Sequence, residues 1–158
     1  MTIRIGVCKM ISVQELLNPR FIQFMDAESK ADALNTMIDM VSADDNVMDK
    51  AAFRRAVLDR EAIFSTGIGL GIAIPHVKIR EVKNMVIGIG INSNPIDWKS
   101  IDSQPVRIIF LIAGSEDQHE MYLRILAKII LVLKNKNRRE KLLAASNPQE
   151  IMALFQNI

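Results

Sequence analysis

The apolar run RIIFLIA, from Arg107 to Ala113, constrains the fold more than any other stretch of the chain. A strand with one wet face alternates apolar and polar residues, whereas a near-continuous apolar run of this length belongs to a strand covered on both faces. The remaining sequence must therefore supply helices on each side of a sheet. Further strand patterns lie at FIQFM (Phe21–Met25), Ile72–Ile74 and MVIGIGI (Met85–Ile91). The helical patterns come with start signals. Ser12 can cap a short helix through Leu17, preceded by a short N-terminal strand. Ser29 fits the N-cap of a helix whose Leu34, Met37, Ile38 and Val41 share one face. Asp49 can cap a helix to about Arg60 with Phe53, Ala56 and Val57 inward.

The longest predicted helix begins at Ser115, where Ser115-x-x-Gln118 fits a capping box. Tyr122, Ile125, Leu126, Ile129 and Leu133 form one face of it. Leu123, Ala127, Ile130 and Leu131 nearly close the ring, which predicts a deeply placed helix. Asn147 and Pro148 read as N-cap and first residue of a last helix. This alternation predicts one α/β domain over residues 1–158, a mixed β-sheet sandwiched by helices. A length of 158 residues fits that single core.

Bulk charge narrows the partners. The formal net charge of +2 points to neither nucleic acid nor a membrane surface. The basic run KNKNRREK, Lys134–Lys141, lacks interleaved aromatics and reads as a solvated connection between two helices. Cys8 is the only cysteine, which excludes an internal disulfide framework, fits a reducing compartment and reads as a buried thiol. No segment holds about 18 uninterrupted apolar residues, so no membrane insertion is expected. The N-terminus lacks the apolar core of a signal peptide, and a cytoplasmic location is expected. Trp98 and Tyr122 read as packing residues.

The stretch GIGLGIAIPH, Gly67–His76, raises the chemical question. Its glycines do not make a dinucleotide fingerprint, because they lead toward a strand and the spacing fails at Ile72. No phosphate-binding P-loop and no nucleophile-elbow G-x-S-x-G occurs. His76 and His119, the only histidines, stand 43 positions apart without paired cysteines, which is a poor metal-ligand set. Pro75 fixes its own φ and pushes Ile74 into an extended conformation, so His76 is delivered at a strand end with little backbone freedom. His119 falls in the first turn of the long helix, where free N–H groups favour an anion. From the residues alone two readings stand: a positioned reactive pair, or a tight glycine turn and two ordinary surface histidines.

The run Arg60-Glu61-Ala-Ile-Phe-Ser65-Thr66-Gly67-Ile-Gly69-Leu-Gly71-Ile-Ala-Ile-Pro75-His76 resembles the active-site signature of the enzyme IIA component of the bacterial phosphoenolpyruvate-dependent sugar phosphotransferase system, fructose/mannitol/nitrogen type. MVIGIGI, Ile96-Asp97-Trp98, DSQPVRIIFLIA and His119 with its following helix are similar to the same family. The resemblance implies that His76 is the phosphorylated nucleophile, with His119 and Arg60 as the other active-site residues. Ser65 and Thr66 would support the phosphate pocket through their hydroxyls. It implies an HPr-type phosphocarrier as donor, or its nitrogen-branch relative, and an enzyme IIB component or regulated proteins downstream. No cofactor, nucleotide or metal is needed, because the donor is already activated. Transfer then rests on positioning and electrostatics. The family usually has a small residue after the histidine, and Val77 departs from that, with an expected effect at the pocket mouth or on partner choice. The start of the chain, ISVQELLNPRFIQFMDAESKADAL, resembles the nitrogen-type members, which leaves sugar transport and regulation both open.

Overall fold

The computed structural model describes residues 11–158. In chain order the elements are α1 (Val13–Leu16), β1 (Ile22–Met25), α2 (Lys30–Ser42), α3 (Lys50–Ile63), β2 (Gly67–Gly69), β3 (Ile72–Ala73), β4 (His76–Ile79), β5 (Val86–Ile96), β6 (Val106–Ser115), α4 (His119–Lys134), α5 (Lys136–Ala144) and α6 (Pro148–Ala153). The apolar run sits inside β6, and every residue from Ile108 to Ser115 is buried. β6 pairs antiparallel with β5, which pairs in parallel with β1. On its other edge β6 carries β3 and then β4, both parallel, and β2 closes antiparallel onto β3.

Two apolar clusters explain why both faces of β6 are apolar. Ile108, Phe110 and Ile112 face a cluster completed by α4 residues Ile125, Ile129 and Leu133, with Leu142, Ile151 and Phe155 behind them. Ile109, Leu111 and Ala113 face the opposite cluster, completed by Met37, Ile38 and Val41 of α2 and Phe53 and Val57 of α3. The expected mixed sheet between helices is the observed one. Its caps follow the sequence: Ser12, Ser29, Asp49 and Asn147 each accept a hydrogen bond from a backbone N–H in the first turn they precede.

Several local expectations are corrected. Ile72–Ile74 is not a strand ending before His76. Pro75 has no N–H and interrupts the edge, which resumes as β4, so His76 begins a strand. Ser115 ends β6 instead of starting α4. Its Oγ accepts from the Asp117 N–H at 3.3 Å to hold a 3-10 turn, and the Gln118 amide donates to Asn84 Oδ1 at 3.2 Å, so no reciprocal capping box forms. α4 lies on the sheet with an open outer face, where Leu123 is 49% and Leu131 68% exposed, so it is not deeply placed. The basic run is largely helical. Lys136–Ala144 is α5, capped by Asn135, and Arg139 donates to the carbonyls of Leu133 and Lys134 that end α4. Basic side chains that satisfy a helix end read from the sequence like a solvated connection. Cys8 and the expected N-terminal strand lie outside the described residues. Among the described residues, no helix is long and apolar enough to cross a membrane.

Candidate functional site

Three backbone clamps hold the approach to His76. The Ile74 N–H donates to the Thr66 carbonyl at 3.0 Å, and the Pro75 carbonyl accepts from the Ile112 N–H at 3.0 Å. The Ile74 carbonyl accepts from the His76 ring itself, with Nδ1 at 2.6 Å. A carbonyl oxygen can only accept, so Nδ1 carries the proton and Nε2 keeps its lone pair. An edge strand broken by proline thus presents an imidazole of fixed tautomer whose free nitrogen is nucleophilic.

The surroundings come from three elements. In β4, His76 pairs with Ile112 and Lys78 with Gly114. Tyr122 of α4 lies against His76, with ring centroids 6.4 Å apart and planes tilted by 43°. The ring fits there only because residue 114 has no side chain: a Cβ on Gly114 would meet Tyr122 Cδ2 at 2.4 Å. Burial pushes the Tyr122 phenol up to about 12, against the opposing pull of the Arg60 guanidinium. Arg60 stands in the last turn of α3, where its Nη1 donates to the Phe64 carbonyl at 2.9 Å. His119, the first residue of α4, stands one helical turn before Tyr122, and its Nδ1 meets Lys78 Nζ at 2.5 Å. The structure brings His76 and His119 to one edge of the sheet, linked through Lys78 and Tyr122, while Arg60 is held at the end of α3.

Ser65 and Thr66 lie in the loop between α3 and β2. The Thr66 hydroxyl is buried and donates to Glu61 Oε2 at 2.5 Å, and the Ser65 hydroxyl donates to the Trp98 carbonyl at 2.9 Å. Each hydroxyl has a single proton, already given to another acceptor. In this structure both hydroxyls fix the loop. The expectation for Val77 is corrected. Strand alternation turns it away from His76 into the cluster under α2 and α3, so its branched side chain does not reach the site.

The residue that organises the loop is Glu61, to which the sequence reading assigned no role. Its carboxylate accepts from the Thr66 N–H (3.0 Å), the Thr66 hydroxyl and Trp98 Nε1 (3.1 Å), and pairs with Lys30 Nζ at 2.7 Å. Trp98 is fully buried, and its ring lies under Lys30 Nζ. It packs, as expected, and also ties the loop to β5. A signal for Glu61 was present. Phe53, Val57 and Glu61 stand four apart on one helix face, and a carboxylate continuing an apolar stripe requires a buried partner.

The hairpin tip completes the loop. Gly69 (φ +96°) and Gly71 (φ +77°) occupy left-handed backbone that glycine adopts without strain. Asp102 Oδ2 accepts from the Leu70 N–H between them at 3.0 Å.

Comparison with known proteins assigns the class that this fold and site define. Residues 15–158 match the family model described as phosphoenolpyruvate-dependent sugar phosphotransferase system, EIIA 2. The chain belongs to this family of phosphotransfer components. It is similar to the PTS system fructose-specific EIIABC component of Bacillus subtilis (strain 168), 32% identical over 92% of this chain, and spans 23% of that protein's length. The crystal structure of nitrogen regulatory protein IIA-Ntr from Neisseria meningitidis superposes with a TM-score of 0.85 at 26% identity, covering 91% of this chain and 99% of that one. A solved complex of enzyme IIAMTL and phosphorylated enzyme IIBMTL from Escherichia coli shares the fold, with a TM-score of 0.77 at 18% identity, covering 90% and 98%.

Proposed function

We propose that residues 1–158 act as one phosphoryl-carrier domain, in which His76 accepts a phosphoryl group from an HPr-type phosphocarrier and passes it to an enzyme IIB acceptor. The observation that carries this reading is the 2.6 Å bond from His76 Nδ1–H to the Ile74 carbonyl, which leaves Nε2 as the nucleophile. The donor's phosphoramidate N–P bond breaks as the Nε2–P bond forms. The donor imidazole recovers its lone pair, and no net proton is consumed. Arg60 offers a planar fork to the equatorial oxygens, and His119 donates from the first turn of α4. Both stabilise charge spread over a loose transition state. No cofactor takes part. The work is cytoplasmic and requires neither membrane insertion nor nucleic acid.

A second output uses the same chemistry. The likeness to a nitrogen regulatory IIA protein favours a role in which the phosphorylation state of His76 controls partner proteins and no sugar is moved. The test begins with phosphoenolpyruvate, its carrier kinase and HPr. The expected product is one acid-labile phosphate per chain, lost in His76→Ala. His119→Ala should still accept phosphate, while onward transfer falls by about 10². Labelling that survives in His76→Ala refutes the reading. Supplying a IIB domain separates the outputs: discharge of the label supports transport, and stable retention supports regulation.

A further inference from the structure

We propose that Lys78 is a positioning residue that sets the tautomer and ring orientation of His119. This inference rests on the reading that His76 carries the phosphoryl group. Lys78 follows His76 by two residues in β4, and the residue between them, Val77, is buried on the opposite face. Strand alternation therefore turns His76 and Lys78 to the same side, about 6.6 Å apart along the strand. Gly114, paired with Lys78 in β6, has no side chain to intervene, and the Tyr122 ring fills the space above it.

The lysine reaches the start of α4, where Nζ lies 2.5 Å from His119 Nδ1. An ammonium has donors and no acceptor, so in this contact His119 Nδ1 accepts. The neutral ring then carries its proton on Nε2, at the far end from the lysine. The two site imidazoles hold opposite tautomers for opposite tasks. His76 has its proton locked on Nδ1 by a carbonyl and presents a lone pair at Nε2. His119 has its lone pair locked on Nδ1 by an ammonium and presents an N–H donor at Nε2. A donor aimed at a phosphoryl oxygen is what transfer needs from the second histidine, and without Lys78 the exposed imidazole is free to turn its lone pair toward that oxygen instead.

The experiment has two arms. In the first, the imidazole nitrogens of His119 are read by nitrogen NMR on the unphosphorylated full chain at about pH 8.5, where histidine is ordinarily neutral. Wild type should show a protonated Nε2 and an Nδ1 shifted by an accepted hydrogen bond. In Lys78→Met the Nδ1 signal should move to the value of a free imidazole, and Lys78→Arg, which keeps a donor, should restore most of the shift. In the second arm, onward phosphoryl transfer should fall about tenfold in Lys78→Met, the order seen when the partner orienting a functional imidazole is removed. Lys78→Met should cost nothing further in a His119→Ala background. A proton on Nδ1 of wild-type His119, or unchanged His119 nitrogens in Lys78→Met, overturns the proposal. So does an undiminished tenfold loss in the His119→Ala background, which would make Lys78 a direct phosphoryl contact. A wild-type chain that takes no phosphate refutes the carrier reading and the purpose assigned to this contact, while the nitrogen spectra still decide the contact itself.

Discussion

Removing the Glu61 carboxylate should unfasten the loop that leads to His76. Its side chain is 5% exposed and receives the Thr66 N–H, the Thr66 hydroxyl, the Trp98 indole N–H and the Lys30 ammonium. Hydrogen bonds to a charged acceptor are worth about 1.5–3 kcal/mol each, but they share one acceptor and do not add. Lys30 is 24% exposed and regains water when its partner is lost. The indole and Thr66 donors stay buried, so Glu61→Ala should cost about 3–5 kcal/mol, as for other broken buried pairs. At an m-value of about 2 kcal/mol/M, the urea midpoint falls by about 2 M. Glu61→Gln is the graded control. Its carbonyl can keep the three contacts at Oε1, and the Thr66 hydroxyl can rotate to accept from the new amide. Only charge assistance is lost, which amounts to about 1–2 kcal/mol. The Ile74 N–H is held by the Thr66 carbonyl, so Glu61→Ala should also slow labelling of His76 under conditions where the chain remains folded. A Glu61→Ala midpoint within about 0.5 M of wild type, with an unchanged labelling rate, would refute the claim that this carboxylate holds the loop.

Gly114→Ala should destabilise by about 1–3 kcal/mol, because the new methyl meets the Tyr122 ring at 2.4 Å, and it should slow transfer as the start of α4 shifts; urea denaturation and labelling rates check both. Arg60→Lys should slow transfer about tenfold or more with little change in stability, since a point charge replaces a bidentate fork. The Asp102 carboxyl is held below its ordinary 3.8 by the N–H groups of Gln104 and Leu70. For a lowered carboxyl pKa the stabilisation is complete above 3.8 and is lost as the pH falls through the lower folded value. The Leu70 and Gln104 amide resonances should therefore move together in acid below 3.8, and Asp102→Asn should abolish that titration.

The layers of the fold were legible because burial on two faces leaves a plain mark. RIIFLIA has no polar position for water to take, and the helices beside it announce themselves by caps at Ser29, Asp49 and Asn147. What escaped depended on tertiary partners. β4 was hidden because Pro75 ends one run of ladder bonds, and nothing local shows that β6 continues beyond it to pair with His76–Ile79. α5 was hidden because its stability comes from Arg138 and Arg139 reaching carbonyls of neighbouring helices, and isolated basic residues look solvated. Ser115 has the chemistry of a helix cap and uses it one turn early, on a 3-10 turn. At the site, the resemblance pointed to His76, His119 and Arg60, while the residues that hold the loop before His76 and that meet His119 did not stand out. Glu61 and Lys78 are common surface types whose roles depend on Trp98, Thr66 and His119 arriving from other elements.

The most direct test of the central claim is the identity of the phosphorylated nitrogen. The chain is loaded from HPr, and its single adduct is characterised by phosphorus–nitrogen NMR on protein labelled with nitrogen-15 in histidine. The carbonyl of Ile74 holds the His76 proton on Nδ1, so the adduct should show phosphorus coupled to Nε2 of His76, with Nδ1 still protonated. Phosphorus coupled to Nδ1 of His76, or to either nitrogen of His119, would contradict the account.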